Sequence, residues 1–324
     1  MTALTVVVPT YDVAAHVGGT LRAVLAQPVD GFEVLVVDDG SRDGTVEVCR
    51  AVADEDPRVR VLALPENGGV SAARRTAVAQ ARGTYVWLVD ADDHVAPDAA
   101  EQLLTAARDA DGHGTPADVV LAHARFVYAD GTTRPVPSPQ TGTLHGPDVL
   151  RALLRGDASG HLWNKLLRRD LLHPDDFVPA RVHSDLALTA AALARARTAV
   201  SIDAHVYDYR LREGSIITTR RSRAESLGVV GDAVAASAAT HGIGPGDPDY
   251  DYFRCRYITL SAVKDLLATS DRPDGPRLRA LRHELGPRQL RALAARRDTR
   301  RLALALTARC SLPAHRALLA LAAR

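Results

Sequence analysis

Residues 83–94 read GTYVWLVDADDH, a short apolar run followed at once by carboxylates. The run Tyr85–Val89 carries no charge, which predicts a strand buried on both faces. Asp90, Asp92 and Asp93 close it. Carboxylates at the carboxyl end of a buried strand suit a cleft better than a core. Alternation along an extended chain puts Asp90 and Asp92 on one side. Two hard oxygen ligands there can hold Mg²⁺ or Mn²⁺, and such an ion can hold a diphosphate. The plainer alternative is that Asp92 or Asp93 caps a helix beginning near Pro97.

The same pattern repeats upstream. Leu4–Val8 is a β-branched run stopped by Pro9, and Val13–Gln27 follows with helical spacing. The strand at Glu33–Val37 ends in Asp38, Asp39, Gly40 and Ser41, before a helix at Thr45–Asp54. The strand at Val59–Leu64 leads to Glu66, Asn67, Gly68 and Gly69, before a helix at Ser71–Ala81. Four β–α units in about 90 residues predict a parallel, doubly wound α/β sheet. Ligands of such sheets bind outside the carboxyl ends of the strands. Those ends are Pro9–Tyr11, Asp38–Ser41, Asn67–Gly69 and Asp90–Asp93, all polar or glycine-rich.

Downstream, the spacing predicts a helix at Asp98–Asp109, a strand at Asp118–Tyr128 and a loop or edge hairpin over Thr132–Gly146. Helices are expected at Pro147–Arg155 and Asp185–Arg197. A strand at Ala199–Ile202 follows, then the stretch Val206–Gly214. From Ser222 the chain reads as helices broken by Gly/Pro/Asp-rich segments at 242–249 and 271–276.

The bulk numbers narrow the function classes. The chain has 324 residues, 46% hydrophobic and 24% charged, with a net charge of +1. That predicts a globular protein and gives no global field for nucleic acid. Cys49, Cys255 and Cys310 are isolated, which suits a reducing compartment and excludes a cysteine zinc site. No signal peptide and no run of about 18 apolar residues is present, so a cytoplasmic location is expected. About a dozen arginines lie from Arg277 onward against only Glu284 and Asp298. With the leucine spacing there, they give amphipathic helices, which pack on the parent domain, mediate a homo-oligomer, or touch a membrane surface peripherally.

Each candidate residue has a functional reading and a plain one. Asp38 and Asp39 can accept a base imide N–H or ribose hydroxyls, or simply make a turn. Asn67-Gly68-Gly69 lets backbone approach an anion at a helix start, with Arg74 one turn in. Ser71 as an N-cap explains the same residues. Trp163-Asn164-Lys165 groups an aromatic ring, an amide and one of two lysines. Trp163 there is either core or contact. Asp185 is either a proton acceptor or a helix cap. Tyr207, Tyr209, Arg210 and Arg212 form a basic-aromatic strip, suited to stacking, to phosphate contact or to a solvated edge.

These stretches together resemble the family-two inverting glycosyltransferases of GT-A fold. The motifs are VVVPTYD at 6–12, EVLVVDDGSRDGT at 33–45, ENGGVSAAR at 66–74, ARGTYVWLVDADD at 81–93, LWNKLLRR at 162–169, HSD at 183–185 and YDYRLREGSI at 207–216. They stand in family order across about residues 1–217. The resemblance implies a GT-A domain over 1–217, with a nucleotide-sugar half at 1–117 and an acceptor half at 118–217. A helical region at 218–324 lies outside it. It implies a nucleotide-diphosphate-sugar donor, a UDP-sugar foremost, with Mn²⁺ or Mg²⁺. The donor site would be Pro9, Tyr11, Asp38, Asp39, Asn67, Arg74, Asp90 and Ala91. Asp92 would be the metal ligand of the Asp-x-Asp element, and Asp185 the catalytic base. Trp163, Lys165 and Arg210 fall on the acceptor or diphosphate side. The acceptor would be a hydroxyl of a cell-envelope glycan, glycopolymer or lipid-linked sugar. Ser184 departs from the family, which often has Glu before that Asp. Two rivals remain: an inactive nucleotide-sugar-binding protein and a sugar nucleotidyltransferase. The latter would want a basic, glycine-rich loop after the first strand, where Pro9-Thr10-Tyr11-Asp12 stands.

Overall fold

The computed structural model describes residues 2–110, 112–211, 223–269 and 275–322. Arg212 and the boundary at 217 fall outside the described residues. Four strands, β1 (Leu4–Thr10), β2 (Phe32–Asp38), β3 (Val59–Ala63) and β4 (Tyr85–Leu88), alternate with α1 (Ala14–Leu25), α2 (Thr45–Glu55) and α3 (Val70–Gln80). They pair in parallel in the spatial order β3-β2-β1-β4. β1 runs through Pro9, which the sequence reading took as its stop. Pairing with β4 ends at Val7↔Leu88, whereas pairing with β2 continues to Thr10↔Asp38. The missing N–H of Pro9 points to the β4 side, beyond the last rung, so no ladder bond is lost.

Next come β5 (His94–Val95), α4 (Ala99–Arg108), β6 (Val119–Val127), β7 (Thr133–Pro135), β8 (Gly142–His145), α5 (Pro147–Arg155), β9 (Lys165–Arg168), α6 (Ser184–Arg195) and β10 (Thr198–Arg210). The sheet continues β4-β9-β6-β10-β5, with β7 on β6 and β8 on β10. The sheet is thus parallel over its first four strands and mixed beyond them. The strand β9 was not foreseen; it lies antiparallel between β4 and β6. The strand expected at Ala199–Ile202 and the start of the stretch from Val206 belong to one long strand, β10, which ends at Arg210; residues 212–214 lie outside the described residues. The register of β10 on β6 shifts between Ser201 and His205 and again before Tyr207, which breaks the alternation visible in the sequence. The N-cap of α4 is Asp98, so Asp92 and Asp93 do not cap it.

Every residue of β1, β2 and β4 is buried, and alternation sends their side chains to two cores. Val7, Leu35, Val37, Val86 and Leu88 meet the helices α3, α5 and α6 on one face. Val6, Val8, Val34, Val36 and Trp87 meet α1, α2 and α4 on the other. The sheet is therefore the middle of three layers. At Gly83 an added Cβ would stand 2.4 Å from the Thr5 nitrogen, so only glycine lets β4 enter beside β1.

Among the described residues the α-helices that follow are α7 (Ala224–Ala239), α8 (Pro248–Phe253), α9 (Leu260–Thr269), α10 (Pro276–Glu284), α11 (Pro287–Ala295), α12 (Thr299–Cys310) and α13 (Leu312–Ala322), with a π-helical turn at Arg254–Thr259 joining α8 to α9. Val230, Val234 and Ala238 of α7 complete the core beside α6. Cys255, Leu260, Val263, Leu278, Leu285 and Leu293 build a separate helical core. Asp249 ties the two regions together: it accepts from Arg151 of α5 at 2.8 Å and from Arg296. No described helix is long and apolar enough to cross a membrane.

Candidate active site at the carboxyl ends of the strands

The carboxyl ends of β1, β2 and β3 open on a cavity of about 320 Å³ lined by Tyr11, Asp38, Ser41, Arg42, Glu66 and Asn67, among others. Tyr11 is 47% exposed and offers a ring to whatever enters. Gly40 has φ +77°, and a Cβ there would stand 3.0 Å from the Asn67 nitrogen. Glycine at this point lets the β2 and β3 loops close together into one wall. Arg74, Asp39 and the buried Pro9 do not line this cavity.

The two aspartates after β2 are occupied by their own fold. Asp38 is buried and accepts from the Thr10 hydroxyl at 2.9 Å and the Ser41 N–H at 2.9 Å. Asp39 is buried too; its two oxygens accept from the N–H groups of Gly68 at 2.9 Å and Gly69 at 2.7 Å. A carboxylate is used here to hold the Asn67–Gly69 loop, so backbone N–H groups that might have met an anion are taken. Asp12, at φ +49°, adds a further clasp by accepting the Arg42 N–H at 2.8 Å.

The carboxylates after β4 take different roles. Asp90 pairs with Arg74 at 3.0 Å, and its side chain keeps 27% exposure. Burial pushes its carboxyl up to about 6, against the pull of Arg74. The Ala91 carbonyl is held by the Thr20 hydroxyl at 2.9 Å, and Asp92 stands half-buried beside it. Asp93 points inward: it accepts from the Tyr207 hydroxyl and the Arg210 N–H, each at 2.9 Å. Burial, then the charges of Asp90 and Asp92, raise its carboxyl to about 8. Asp93 therefore anchors the end of β10 to the β4 loop, a role the sequence did not disclose.

Arg74 is the hinge of the site. It is buried, and its guanidinium bridges Asp90 to Asp185 at the start of α6. The expected anion contact is replaced by an ion cluster joining α3, the β4 loop and α6. Asp185 occupies the first turn of α6, behind His183 at φ +63°. No side-chain cap bond is made there by His183, the N-cap residue. Burial alone would raise the Asp185 carboxyl, but the Arg74 guanidinium foremost outweighs it and holds it below its ordinary value. Asp185 thus stays ionised at neutral pH.

Two expected contact residues are internal instead. Trp163 is 1% exposed and stacks on Tyr207 at 4.8 Å between centroids. Lys165 is fully buried and donates to the His161 carbonyl at 2.6 Å and the Asn164 side chain at 2.8 Å. Burial lowers its ammonium to about 7. Neither is exposed to an acceptor or a diphosphate: Trp163 is core, and Lys165, expected as a contact, is buried beside it. Arg210 is exposed at the end of β10, next to the Asp93 anchor.

A divalent ion can be tested against the donor set. Among the described residues no group of three or more His, Cys, Asp or Glu side chains stands together as a metal cage. Asp90 and Asp92 supply hard oxygens at a partly exposed rim. Two carboxylates completed by phosphate oxygens and water are how Mg²⁺ is ordinarily held, so the residues fit an ion shared with a diphosphate and not a resident one.

Comparison with known proteins gives the family and the fold. The family described as Glycosyl transferase family 2 matches residues 5–173. The uncharacterized glycosyltransferase YibD of Escherichia coli is 30% identical over 232 residues, 69% of this chain; the chain spans 66% of that protein's length. Among solved structures, residues 1–349 of TarS from S. aureus, in complex with UDP-GlcNAc, superpose with a TM-score of 0.66 at 22% identity. That match covers 98% of this chain and 90% of that one. The mannosyltransferase PcManGT from Pyrobaculum calidifontis, in complex with GDP-Man and Mn²⁺, gives 0.52 at 24% identity, covering 99% and 79%. The fold is shared with both, and the chain belongs to glycosyl transferase family 2.

Proposed function

We propose that this chain transfers a sugar, with inversion, from a nucleoside-diphosphate sugar to a hydroxyl of a glycan, glycopolymer or lipid-linked acceptor of the cell envelope. The observation that carries this is the Arg74 bridge. It brings Asp90, of the strand-end pair, and Asp185, the candidate base, to one point at the carboxyl end of β4, while a cavity of about 320 Å³ opens at the carboxyl ends of β1, β2 and β3. A UDP-sugar is the favoured donor, on the ground that TarS, of like fold, holds UDP-GlcNAc.

In this reading the nucleoside lies in the cavity against Tyr11 and Asn67. Asp38 and Asp39 hold its walls. Asp90 and Asp92 would hold Mg²⁺ or Mn²⁺ with the diphosphate, and the ion would neutralise charge on the leaving group. Asp185 takes the proton of the acceptor hydroxyl as its oxygen bonds to the anomeric carbon. The bond from that carbon to the diphosphate breaks on the opposite face, so one displacement inverts the configuration. Alignment of the two substrates supplies much of the acceleration.

A donor panel with Mn²⁺ tests this. We expect UDP-sugars to raise the melting temperature, by mass action worth roughly 2.7 kcal/mol at a hundredfold excess over Kd. Slow release of nucleoside diphosphate should follow, and Asp92→Asn should abolish it with the fold retained. Release of pyrophosphate would mark a nucleotidyltransferase. Binding without any turnover would mark an inactive sugar-nucleotide receptor.

A further inference from the structure

Burial of Trp163 and Lys165 leaves the acceptor side without its expected contacts, and the same aromatic stack supplies others. His161 lies on Trp163 at 4.6 Å between centroids and 15° between planes. Tyr209 lies on the same indole at 5.8 Å and 22°. Phe126 closes the group edge-on, 5.6 Å from each of these two rings. Trp163 and Phe126 are buried, whereas His161 and Tyr209 are only half-buried. They are the outer members of a rigid stack.

Their position is set by backbone. At Gly160 a Cβ would stand 2.6 Å from Leu186 of α6, and the Gly160 carbonyl accepts from the Thr189 hydroxyl at 3.0 Å. Only glycine lets this loop seat on the first turns of α6, which brings His161 into the field of Asp185. The Tyr209 hydroxyl feels Asp90, Asp92, Asp93 and Asp185 together. Burial lowers the His161 imidazole to about 4, and burial with those carboxylates raises the Tyr209 phenol. Both are neutral rings at neutral pH, each with a polar edge.

We propose that His161 and Tyr209 form the acceptor subsite, a platform that takes a pyranose ring and presents its hydroxyl to Asp185. The inference rests on the transferase reading above. A sugar ring has an apolar C–H face and a rim of hydroxyls. An aromatic face with a polar edge matches both at once. His161 is seated toward Asp185 by the Gly160 contact with α6, Tyr209 spans from there to the strand-end carboxylates, and neither ring lines the nucleotide cavity, which makes this a subsite for acceptor.

The test is transfer from UDP-GlcNAc with Mn²⁺ to a panel of p-nitrophenyl α- and β-pyranosides, with donor Kd measured separately by calorimetry. We expect His161→Ala and Tyr209→Ala each to raise the acceptor KM by about tenfold, the equivalent of about 1.4 kcal/mol. Donor Kd should stay within about twofold, which is less than 0.5 kcal/mol. His161→Phe and Tyr209→Phe keep the stack and should show smaller rises; they carry the test if an alanine variant fails to fold. Unchanged acceptor KM in all folded variants overturns the subsite. So does a loss of donor affinity in proportion, or a parent that binds donor yet transfers to no pyranoside. A parent that neither binds nor turns over any nucleotide sugar overturns the transferase reading instead.

Discussion

Single residues show how burial decides between rival roles. Lys165 is an ionisable amine with no solvent and three acceptors around it: the Ser159 hydroxyl, the His161 carbonyl and the Asn164 amide oxygen. Its ammonium titrates near 7 in the fold and near 10.5 unfolded. Between those values the unfolded chain binds the extra proton, so stability must rise with pH across that window. Lys165→Met removes the group from both states. We expect the melting temperature of the parent, relative to that of Lys165→Met, to climb between pH 7 and 10. Parallel melting curves across that range would show that Lys165 keeps its charge when folded. The residue types of Trp163-Asn164-Lys165 suggest contact chemistry, yet all three are buried. Nothing in a tripeptide states its depth. That depends on β6 and β10 packing beside it, elements far from it in the chain.

At the scale of elements, the loops after β2 and β3 act as one device. Asp39 clamps Gly68 and Gly69, and Gly40 lets the two loops touch. Asp39→Ala frees two N–H groups and slackens the wall that carries Asn67. We expect donor KM to rise with a smaller fall in turnover, because a binding wall acts in ground and transition states alike. A large loss of turnover at unchanged KM would give Asp39 a different role. The first four strands and their helices were legible because each is a local pattern: an apolar run, then a helical period, with polar ends. β9 was not. Its first three residues are all buried, so no alternation shows, and its antiparallel insertion is set by β4 and β6. Of β10 only Ala199–Ile202 reads as a strand in the sequence, because the register shifts hide one continuous period. In the site, the Asp-x-Asp pair and Asp185 could be named from the sequence. The Arg74 bridge between them could not, since it joins residues 111 apart.

The whole molecule pairs a three-layer transferase domain with a basic helical region. Within residues 275–322, Arg277, Arg288, Arg291, Arg297, Arg300 and Arg316 are exposed, whereas Asp298 is bound to Arg301. Leu306 and Leu321 are also exposed, at 44% and 67%. If this region meets an anionic membrane that carries the acceptor, liposomes with anionic lipid should co-sediment the protein, and about 0.5 M salt should release it. Absence of binding at low salt would favour packing on the parent domain or a homo-oligomer as its role. The central claim is narrower: Asp185 is the base of a sugar transfer, not a helix cap. The direct measurement is Asp185→Asn, with transfer rate and nucleotide-sugar Kd taken on the same protein. Asn can cap a helix and can still accept a bond from Arg74, but it cannot take a proton. Transfer should fall on the order of a hundredfold, with donor Kd and melting temperature close to the parent's. Transfer at near the parent rate would contradict it.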